Sequence, residues 1–257
     1  MNVNYKHHHR LHSLEGAVAG FKHVARFGPY ESLLDVGAGT GTWMKAAEEA
    51  GVADVFGLDG IDTTGREFWC SREKFQVHDL SRPFDLQRRF DCVICLEVGE
   101  HLHKSAASTL VSSLCRHAGL IFFSAAIPGQ FGQNHINCQW PDYWQSLFNA
   151  HGFACFDDVR WSMWHDPAIE PWYRQNMFRA VHRPDAAGME PRISSVVHPW
   201  MLSGYVGYYE RMEECKWPAT YYLLAPGRAF SKKVRRYLTR HLLRPSAPSQ
   251  GFEGSAE

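Results

Sequence analysis

Ser32-Leu33-Leu34-Asp35-Val36-Gly37-Ala38-Gly39-Thr40-Gly41 is an apolar strand pattern that runs into three glycines at alternate positions. Glycines between a strand and a helix let the backbone turn without Cβ clashes, and they let a ligand approach the main chain closely. A helical pattern follows from Trp43 to Ala50. The stretch therefore predicts a loop that binds a nucleotide-like ligand.

The spacing of the glycines argues against a dinucleotide. A dinucleotide fingerprint reads G-x-G-x-x-G, whereas Gly41 comes one place early and Thr42 holds the last position. Asp35 lies two residues before Gly37, where a carboxylate suits a cationic amine better than a pyrophosphate. The loop therefore favours a ligand with an amino-acid end. An NAD-type oxidoreductase remains a disfavoured alternative.

Leu34 to Gly41 resembles the first motif of the class I S-adenosylmethionine-dependent methyltransferases of the small-molecule and glycan type. The resemblance extends over residues 32–182. It implies an α/β fold, namely a doubly wound, Rossmann-like, mostly parallel seven-stranded sheet with helices on both faces and a C-terminal extension. It also implies S-adenosyl-L-methionine as the cofactor.

The candidate cofactor-binding residues follow successive strand patterns. In the glycine loop they are Asp35, Gly37, Ala38, Gly39 and Gly41. Asp59 ends the next apolar run, about 20 residues further on, where a carboxylate can accept both ribose hydroxyls. A strand-ending turn at Asp59-Gly60 is the plainer alternative.

The resemblance supplies three further cofactor candidates. It implies that Asp79 lies near the adenine amino group and Leu80 beside the ring, although a turn explains both equally well. Glu97 follows the fourth strand pattern, Phe90 to Leu96, and is a candidate for the methionine end or a nearby water.

The candidate catalytic residues are His135, His101 and Glu100. Methyl transfer mainly requires an acceptor held in line with the methyl group, and an oxygen nucleophile also gains from a base. His135, in the long loop 127–140, is the first candidate for that base and His101 the second. His135 could equally brace its loop, and the helix dipole alone favours an acid such as Glu100 at a helix start.

The sequence predicts no metal site. His135, His101 and Glu100 could together hold a divalent metal, but their spacing does not indicate a tight site. The run His7-His8-His9 cannot face one ion in a regular helix or strand, so residues 5–12 are interpreted as an arm that could still fold over the cofactor.

Composition limits the partners and the compartment. Lys plus Arg equals Asp plus Glu at 27 each in the 257-residue chain, so nothing favours nucleic acid. The expected partner is a small-molecule or glycan acceptor. Seven cysteines and the lack of an apolar run of about 20 residues predict a cytoplasmic protein.

The strand and helix patterns predict a methyltransferase domain over residues 1–187 and a C-terminal extension over residues 188–257. The extension holds a basic, helix-like run at 228–244 that could pack on the domain or weakly contact a membrane surface. Aromatic residues before this run suggest packing against the sheet or a second subunit, hence a homodimer.

The sequence therefore predicts an S-adenosylmethionine-dependent enzyme that methylates a sugar, polyketide or other hydroxylated acceptor on oxygen, assisted by a histidine. A catalytically silent cofactor-binding module in a biosynthetic complex is the alternative from outside the enzymes.

Overall fold

The computed structural model describes residues 12–63 and 68–213. The helices are α1 Leu14–Ala25, α2 Thr42–Glu49, α3 Ala107–His117, α4 Pro141–Asn149, α5 Asp158–Met163, α6 Pro171–Asn176 and α7 Pro199–Glu213. The strands are β1 Ser32–Val36, β2 Asp54–Asp59, β3 Phe75–Val77, β4 Cys92–Leu96, β5 Leu120–Ser124, β6 Phe153–Phe156 and β7 Phe178–His182. The predicted arm, residues 5–12, lies outside the described residues except for His12, and the predicted basic run 228–244 lies wholly outside them.

The seven strands form one sheet in the order β3-β2-β1-β4-β5-β7-β6. The first five strands of that order pair in parallel, and β7 pairs antiparallel with both β5 and β6. The strand order reverses between β1 and β4, which is where open α/β sheets bind ligands beyond the carboxyl ends of their strands. The predicted doubly wound, mostly parallel seven-stranded sheet is confirmed.

Side chains alternate between two apolar cores, one on each face of the sheet. Leu33 and Ile94 contribute to the core that includes α1 and α2, whereas Leu34 and Cys95 contribute to the core that includes α3 and α4. Strands buried on both faces read as continuous apolar runs because both layers are covered by helices. Cys92 faces the first core and Cys95 the second, as their positions in one strand predict.

The sequence pattern from Ala154 to Trp161 predicts a strand, and this prediction is wrong in its second half. β6 ends at Phe156, and helix α5 begins at Asp158. Val159 and Met163, four residues apart, are both fully buried, while Trp161 and Ser162 between them are exposed. This burial has the period of a helix, so packing of one face onto the core decides the local structure. The connection between the antiparallel strands β6 and β7 thus contains α5 and α6.

A carboxylate at the start of α6 holds the start of α1. Ser13 caps α1 by accepting a hydrogen bond from the Gly16 N–H at 2.9 Å. The Ser13 hydroxyl in turn donates to Glu170 at 2.7 Å. A Cβ at position 16 would overlap the Glu170 carboxylate, so glycine lets helix and carboxylate meet. The segment before α1 is thereby fixed beside α6.

The compact unit that contains the sheet ends at Leu202, and the described residues 203–213 belong to a second unit. In the first unit, segment 188–198 follows β7 and is tied to α4 and β6 by hydrogen bonds to Glu190. The predicted boundary between residues 187 and 188 stays a prediction. Every helix within residues 12–63 and 68–213 is too short or too polar to cross a bilayer.

Glu190→Gln should lower the free energy of unfolding at pH 7 by about 2 kcal/mol, because one half-buried acceptor loses its charge and one of its oxygens. The carboxylate accepts from Gln145 at 2.8 Å, Asn149 at 2.7 Å and the N–H groups of Cys155 and Gly188 at 3.1 and 2.8 Å. Burial raises the pKa of Glu190, but these hydrogen bonds together lower it by a larger amount. The pKa therefore lies below its usual range.

The stabilisation by Glu190 is therefore present above the pKa of an unfolded Glu and is lost as pH falls through the lowered pKa of the folded state. Urea unfolding at pH 7 and pH 4 measures the difference, which should shrink at the lower pH. Asp185→Asn, an exposed neighbour, serves as the control. Equal stability of Glu190→Gln and the parent at pH 7 would contradict the prediction.

Candidate functional site

The glycine loop after β1 forms the floor of a cavity at the carboxyl ends of the strands. Gly37, Gly39 and Gly41 all have positive φ, at 87°, 55° and 80°, which side-chain-bearing residues rarely adopt. The N–H groups of Gly37 and Ala38 donate to the Leu58 carbonyl at 2.7 and 3.0 Å, which ties the loop to β2. A Cβ on Gly37 would overlap the Val98 side chain. The loop thus keeps its backbone close to the cavity.

Two buried carboxylates face this cavity from neighbouring strands. Asp59, at the end of β2, accepts hydrogen bonds from the N–H groups of Gly39 and Ile61, both at 2.9 Å. Burial raises the pKa of Asp59, and these backbone donors partly offset that effect. Burial also raises the pKa of Asp35 well above its usual value, and the charge of Asp59 adds to the rise. A cationic group bound between them would stabilise both charges.

Asp79 and Leu80 follow β3 and line the same cavity. Ser81 donates to Asp79 through its hydroxyl at 2.6 Å and its backbone N–H at 3.0 Å. The hydroxyl hydrogen bond is the largest cause that lowers the pKa of Asp79, which therefore stays ionised. Leu80 is buried beside it. A carboxylate next to an apolar surface suits the edge and face of a heterocyclic base.

Glu97 follows β4 in a strained conformation, with φ of 55°. Its carboxylate accepts hydrogen bonds from the side-chain amides of Gln130 at 3.0 Å and Asn176 at 3.1 Å. Gln175 also donates to the side-chain oxygen of Gln130, at 3.1 Å. Burial raises the pKa of Glu97, while these donors act against the rise. The network joins the loop 127–140 and helix α6 to the cavity wall.

The three predicted catalytic residues cluster beside the cavity, but only His101 lines it. Burial, followed by the charge of His135, lowers the pKa of His101 to about 4, so this imidazole is neutral near pH 7. The rings of His101 and His135 meet edge to face at 5.1 Å. Glu100 is fully buried behind them, and its burial raises its pKa well above the usual value, with the charge of Glu97 adding to the rise.

The structure brings most predicted cofactor residues to one cavity. Those that line it are Asp35, Gly37, Ala38, Gly39, Asp59, Asp79, Leu80 and Glu97. Gly41 lies behind the loop, where its N–H donates to the Ala38 carbonyl at 2.8 Å and its carbonyl starts α2. Glu100 and His135 do not line the cavity. The structure shows where these residues lie, but their roles stay predictions.

Part of the cavity wall lies outside the predicted cofactor-binding and catalytic residues. Trp43 and Tyr173 pack edge to face at 5.2 Å, and the Tyr173 hydroxyl meets Nδ1 of His12 at 3.2 Å. All three residues line the cavity. Trp43 lies two residues after Gly41, so its position beside the glycine loop was the available sequence signal. His12 reaches the cavity because α1 is fixed beside α6. The amide partners of Glu97 gave no local signal, because Gln130 and Asn176 lie far from it along the chain.

Among the residues that the structure places around the cavity there is no lysine or arginine. Four carboxylates, from Asp35, Asp59, Asp79 and Glu97, face it instead. A pyrophosphate would meet uncompensated repulsion here, while a ligand that carries positive charge and hydroxyl groups would find acceptors. The arrangement can therefore bind a cationic nucleoside.

Comparison with known proteins identifies the family to which this chain belongs. A family model described as a methyltransferase domain matches residues 7–160. A search of characterised protein sequences gave no match. Among solved structures, the sugar N-methyltransferase KedS8 from Streptoalloteichus sp. is similar at 18% identity and a TM-score of 0.52, over 68% of this chain and 90% of that one.

Two further structures are similar over different lengths. SAM-bound CalS10 from Micromonospora echinaspora, an amino pentose methyltransferase involved in calicheamicin biosynthesis, matches at 16% identity and a TM-score of 0.50, over 67% of this chain and 93% of that one. The glycopeptide N-methyltransferase MtfA, complexed with sinefungin, matches at 20% identity and a TM-score of 0.38. That match covers 45% of this chain and spans 56% of MtfA. KedS8 and CalS10 share the fold described above.

Proposed function

We propose a function for this chain from the premise that it belongs to the methyltransferase domain family. The chain is a methyltransferase, and the proposal concerns its methyl donor and its acceptor. The donor is S-adenosyl-L-methionine. The acceptor is a small hydroxylated molecule, namely a sugar, a polyketide or another natural product or glycan, and the methyl group goes to oxygen.

One observation carries the choice of donor: a cavity lined by four carboxylates and by no lysine or arginine among the described residues. S-adenosyl-L-methionine has a cationic amine and a cationic sulfonium, and when bound it supplies a methyl group whose bond to sulfur breaks as the acceptor's lone pair attacks the methyl carbon. Asp35 and Glu97 would face its amino-acid end, Asp59 its ribose hydroxyls, and Asp79 with Leu80 its adenine.

The residues of this chain then have three tasks. The glycine loop holds the donor against the backbone, and the carboxylates keep its charged groups in place. Trp43, Tyr173 and His12 limit the access of water to the reacting atoms. The neutral imidazole of His101, backed by His135, accepts the proton that leaves the acceptor oxygen.

The acceptor class is supported by two observations. KedS8 and CalS10, which share the fold, are described as a sugar N-methyltransferase and an amino pentose methyltransferase, so they support a sugar-type acceptor but not the choice of oxygen. In this chain, aromatic faces and imidazole edges line the cavity at His12, Trp43, His103 and Tyr173, and such groups pack against and hydrogen-bond hydroxylated rings. Contact of the run 228–244 with a membrane surface, a homodimer and a cytoplasmic location remain proposals without structural support.

Calorimetry tests the donor directly. S-adenosylhomocysteine and S-adenosylmethionine should bind the full chain at micromolar concentration, while NAD should give no heat, because its pyrophosphate would face the carboxylates. Binding of NAD without binding of S-adenosylhomocysteine would overturn the proposal in favour of an oxidoreductase. Incubation with hydroxylated metabolites should then add about 14 Da to one of them, the mass of a methyl group that replaces a hydrogen.

The same incubation separates the enzyme from a silent module. A silent module would bind S-adenosylhomocysteine and leave every acceptor unmodified. His101→Ala should lower the turnover of the methylated acceptor by roughly 100-fold with little change in cofactor affinity, as expected for a lost proton acceptor. His151→Ala, at an exposed position, is the matched control. Unchanged turnover of His101→Ala would exclude the proposed role.

A further inference from the structure

Beside the cavity, Glu100, His101 and His135 bring one carboxylate and two imidazoles together. One potential ligand atom from each residue lies within 4.8 Å of the other two. Glu100 and His101 belong to a short 3-10 turn, Gly99–His101, that follows β4. His135 comes from the loop 127–140. The N–H groups of Ile136 and Asn137 both donate to the Glu100 carbonyl, at 2.9 and 3.0 Å. These hydrogen bonds fix the loop that carries His135 onto the residue that carries the carboxylate.

The Glu100 carboxylate is fully buried, and the groups that approach its oxygens, namely the N–H groups of Glu100 and Ala126 and the Glu97 carboxyl, make no well-formed hydrogen bond to it. Nε2 of His135 is 3.9 Å from its Oε1, which is beyond hydrogen-bonding distance. The nearby amide of Asn137 donates to the Gly99 carbonyl instead, at 3.2 Å. A buried carboxylate without a partner is costly and therefore uncommon. A cation bound beside the Glu100 carboxylate would therefore stabilise its charge.

His135 is oriented as a metal-binding histidine is. Its Nδ1 lies 3.0 Å from the Gln130 carbonyl, which can only accept, so Nδ1 carries the proton. Nε2 then has its lone pair available toward Glu100 and His101. Metal ligands commonly have this arrangement, in which the second nitrogen donates to a backbone carbonyl. A Cβ at Gly132 would overlap Nε2 of His135, so the glycine keeps this place open.

We propose that Glu100, His101 and His135 bind a divalent transition-metal ion such as Zn²⁺ or Co²⁺. Two imidazoles and one carboxylate suit these ions, whereas Mg²⁺ prefers a shell of oxygen ligands. Metal bonds of about 2.1 Å place neighbouring ligand atoms roughly 3 to 3.5 Å apart.

The three residues leave at least one coordination position for water or for an oxygen of the acceptor. His101 lines the cavity, so the metal ion lies at its edge. With the ion bound, the metal would lower the pKa of an acceptor hydroxyl and the two histidines would act as its ligands, whereas without the ion His101 accepts the proton as proposed above. Only this role depends on the proposed function. The binding itself depends on the cluster alone.

Co²⁺ titration of the full chain, followed by its visible absorption, tests the site. Because the run His7-His8-His9 can itself bind metal ions, the titration uses a background in which all three are alanine. One Co²⁺ per chain should bind in this background, and Zn²⁺ should displace it. Glu100→Gln and His135→Gln should each weaken Co²⁺ binding at least 100-fold, while His151→Ala should leave it unchanged.

Calorimetry with S-adenosylhomocysteine, run on each variant, shows whether the fold and the cofactor site survive. Should Glu100→Gln fail to fold, His135→Gln decides the matter, because His135 lies in a surface loop. Absence of Co²⁺ binding in the background chain, or binding that both variants leave intact, overturns the proposal. Co²⁺ binding that the variants abolish, in a chain that binds no S-adenosylhomocysteine, would support the metal site and contradict the proposed donor.

Discussion

Asp59→Ala should weaken the binding of S-adenosylhomocysteine by at least about 100-fold, because two charge-assisted hydrogen bonds of about 1.5 kcal/mol each would be lost. The same carboxylate accepts from the Gly39 N–H at 2.9 Å, so its removal also loosens the glycine loop. Isothermal titration calorimetry measures the affinity. Asp59→Asn, which keeps one acceptor oxygen in place, should lose less, on the order of 10-fold.

Asp62→Ala is the matched control for this experiment, since Asp62 follows the same strand but lies exposed near Arg72. Its affinity for S-adenosylhomocysteine should equal that of the parent chain. Thermal unfolding of each variant shows that the sheet is intact. If Asp59→Ala bound S-adenosylhomocysteine within threefold of the parent, the ribose role of Asp59 would be wrong.

Arg160→Met should lower the free energy of unfolding by about 3 to 5 kcal/mol, because it removes a buried cation that makes several hydrogen bonds. The guanidinium is 1% exposed and donates to the carbonyls of Gln175 and Ser194 at 3.2 Å, and to Asp157 at 2.5 Å. It therefore joins α5, α6 and the segment that follows β7. Methionine has a similar length but leaves these acceptors without donors.

Urea unfolding of Arg160→Met and the parent chain, followed by circular dichroism, measures this loss. Arg26→Met, at the exposed C-terminal end of α1, is the control and should change stability by less than about 0.5 kcal/mol. A loss below about 1 kcal/mol for Arg160→Met would mean that the buried hydrogen bonds contribute little net stability.

The sheet and the cofactor side of the cavity could be predicted because their signals are local. Each strand is a short apolar run, and a glycine or a carboxylate follows directly at its end, as at Gly37, Asp59 and Glu97. Parallel strands bring these ends to one edge of the sheet. The order of the strand patterns therefore placed the cavity.

The other side of the cavity depends on contacts between distant parts of the chain. Gln130 and Asn176 meet Glu97 only once the loop 127–140 and α6 have packed. The burial of Glu100 behind His101 has no sequence signal either, because an acid at a helix start usually faces solvent. The sequence does name Glu100, His101 and His135 together, but it could not show how closely their side chains approach, because the three residues are spread over two segments.

The antiparallel strand β7 lies inside the sheet, between β5 and β6, although it is the last strand along the described part of the chain. During synthesis, β5 therefore has an open hydrogen-bonding edge until residues 178–182 have emerged. An open apolar edge invites pairing with other chains, so this interval is when aggregation is most expected. A chain shortened to residues 7–160, the range of the family match, would retain that open edge permanently. Expression of such a fragment should give insoluble protein, whereas a chain that continues past β7 can close the sheet.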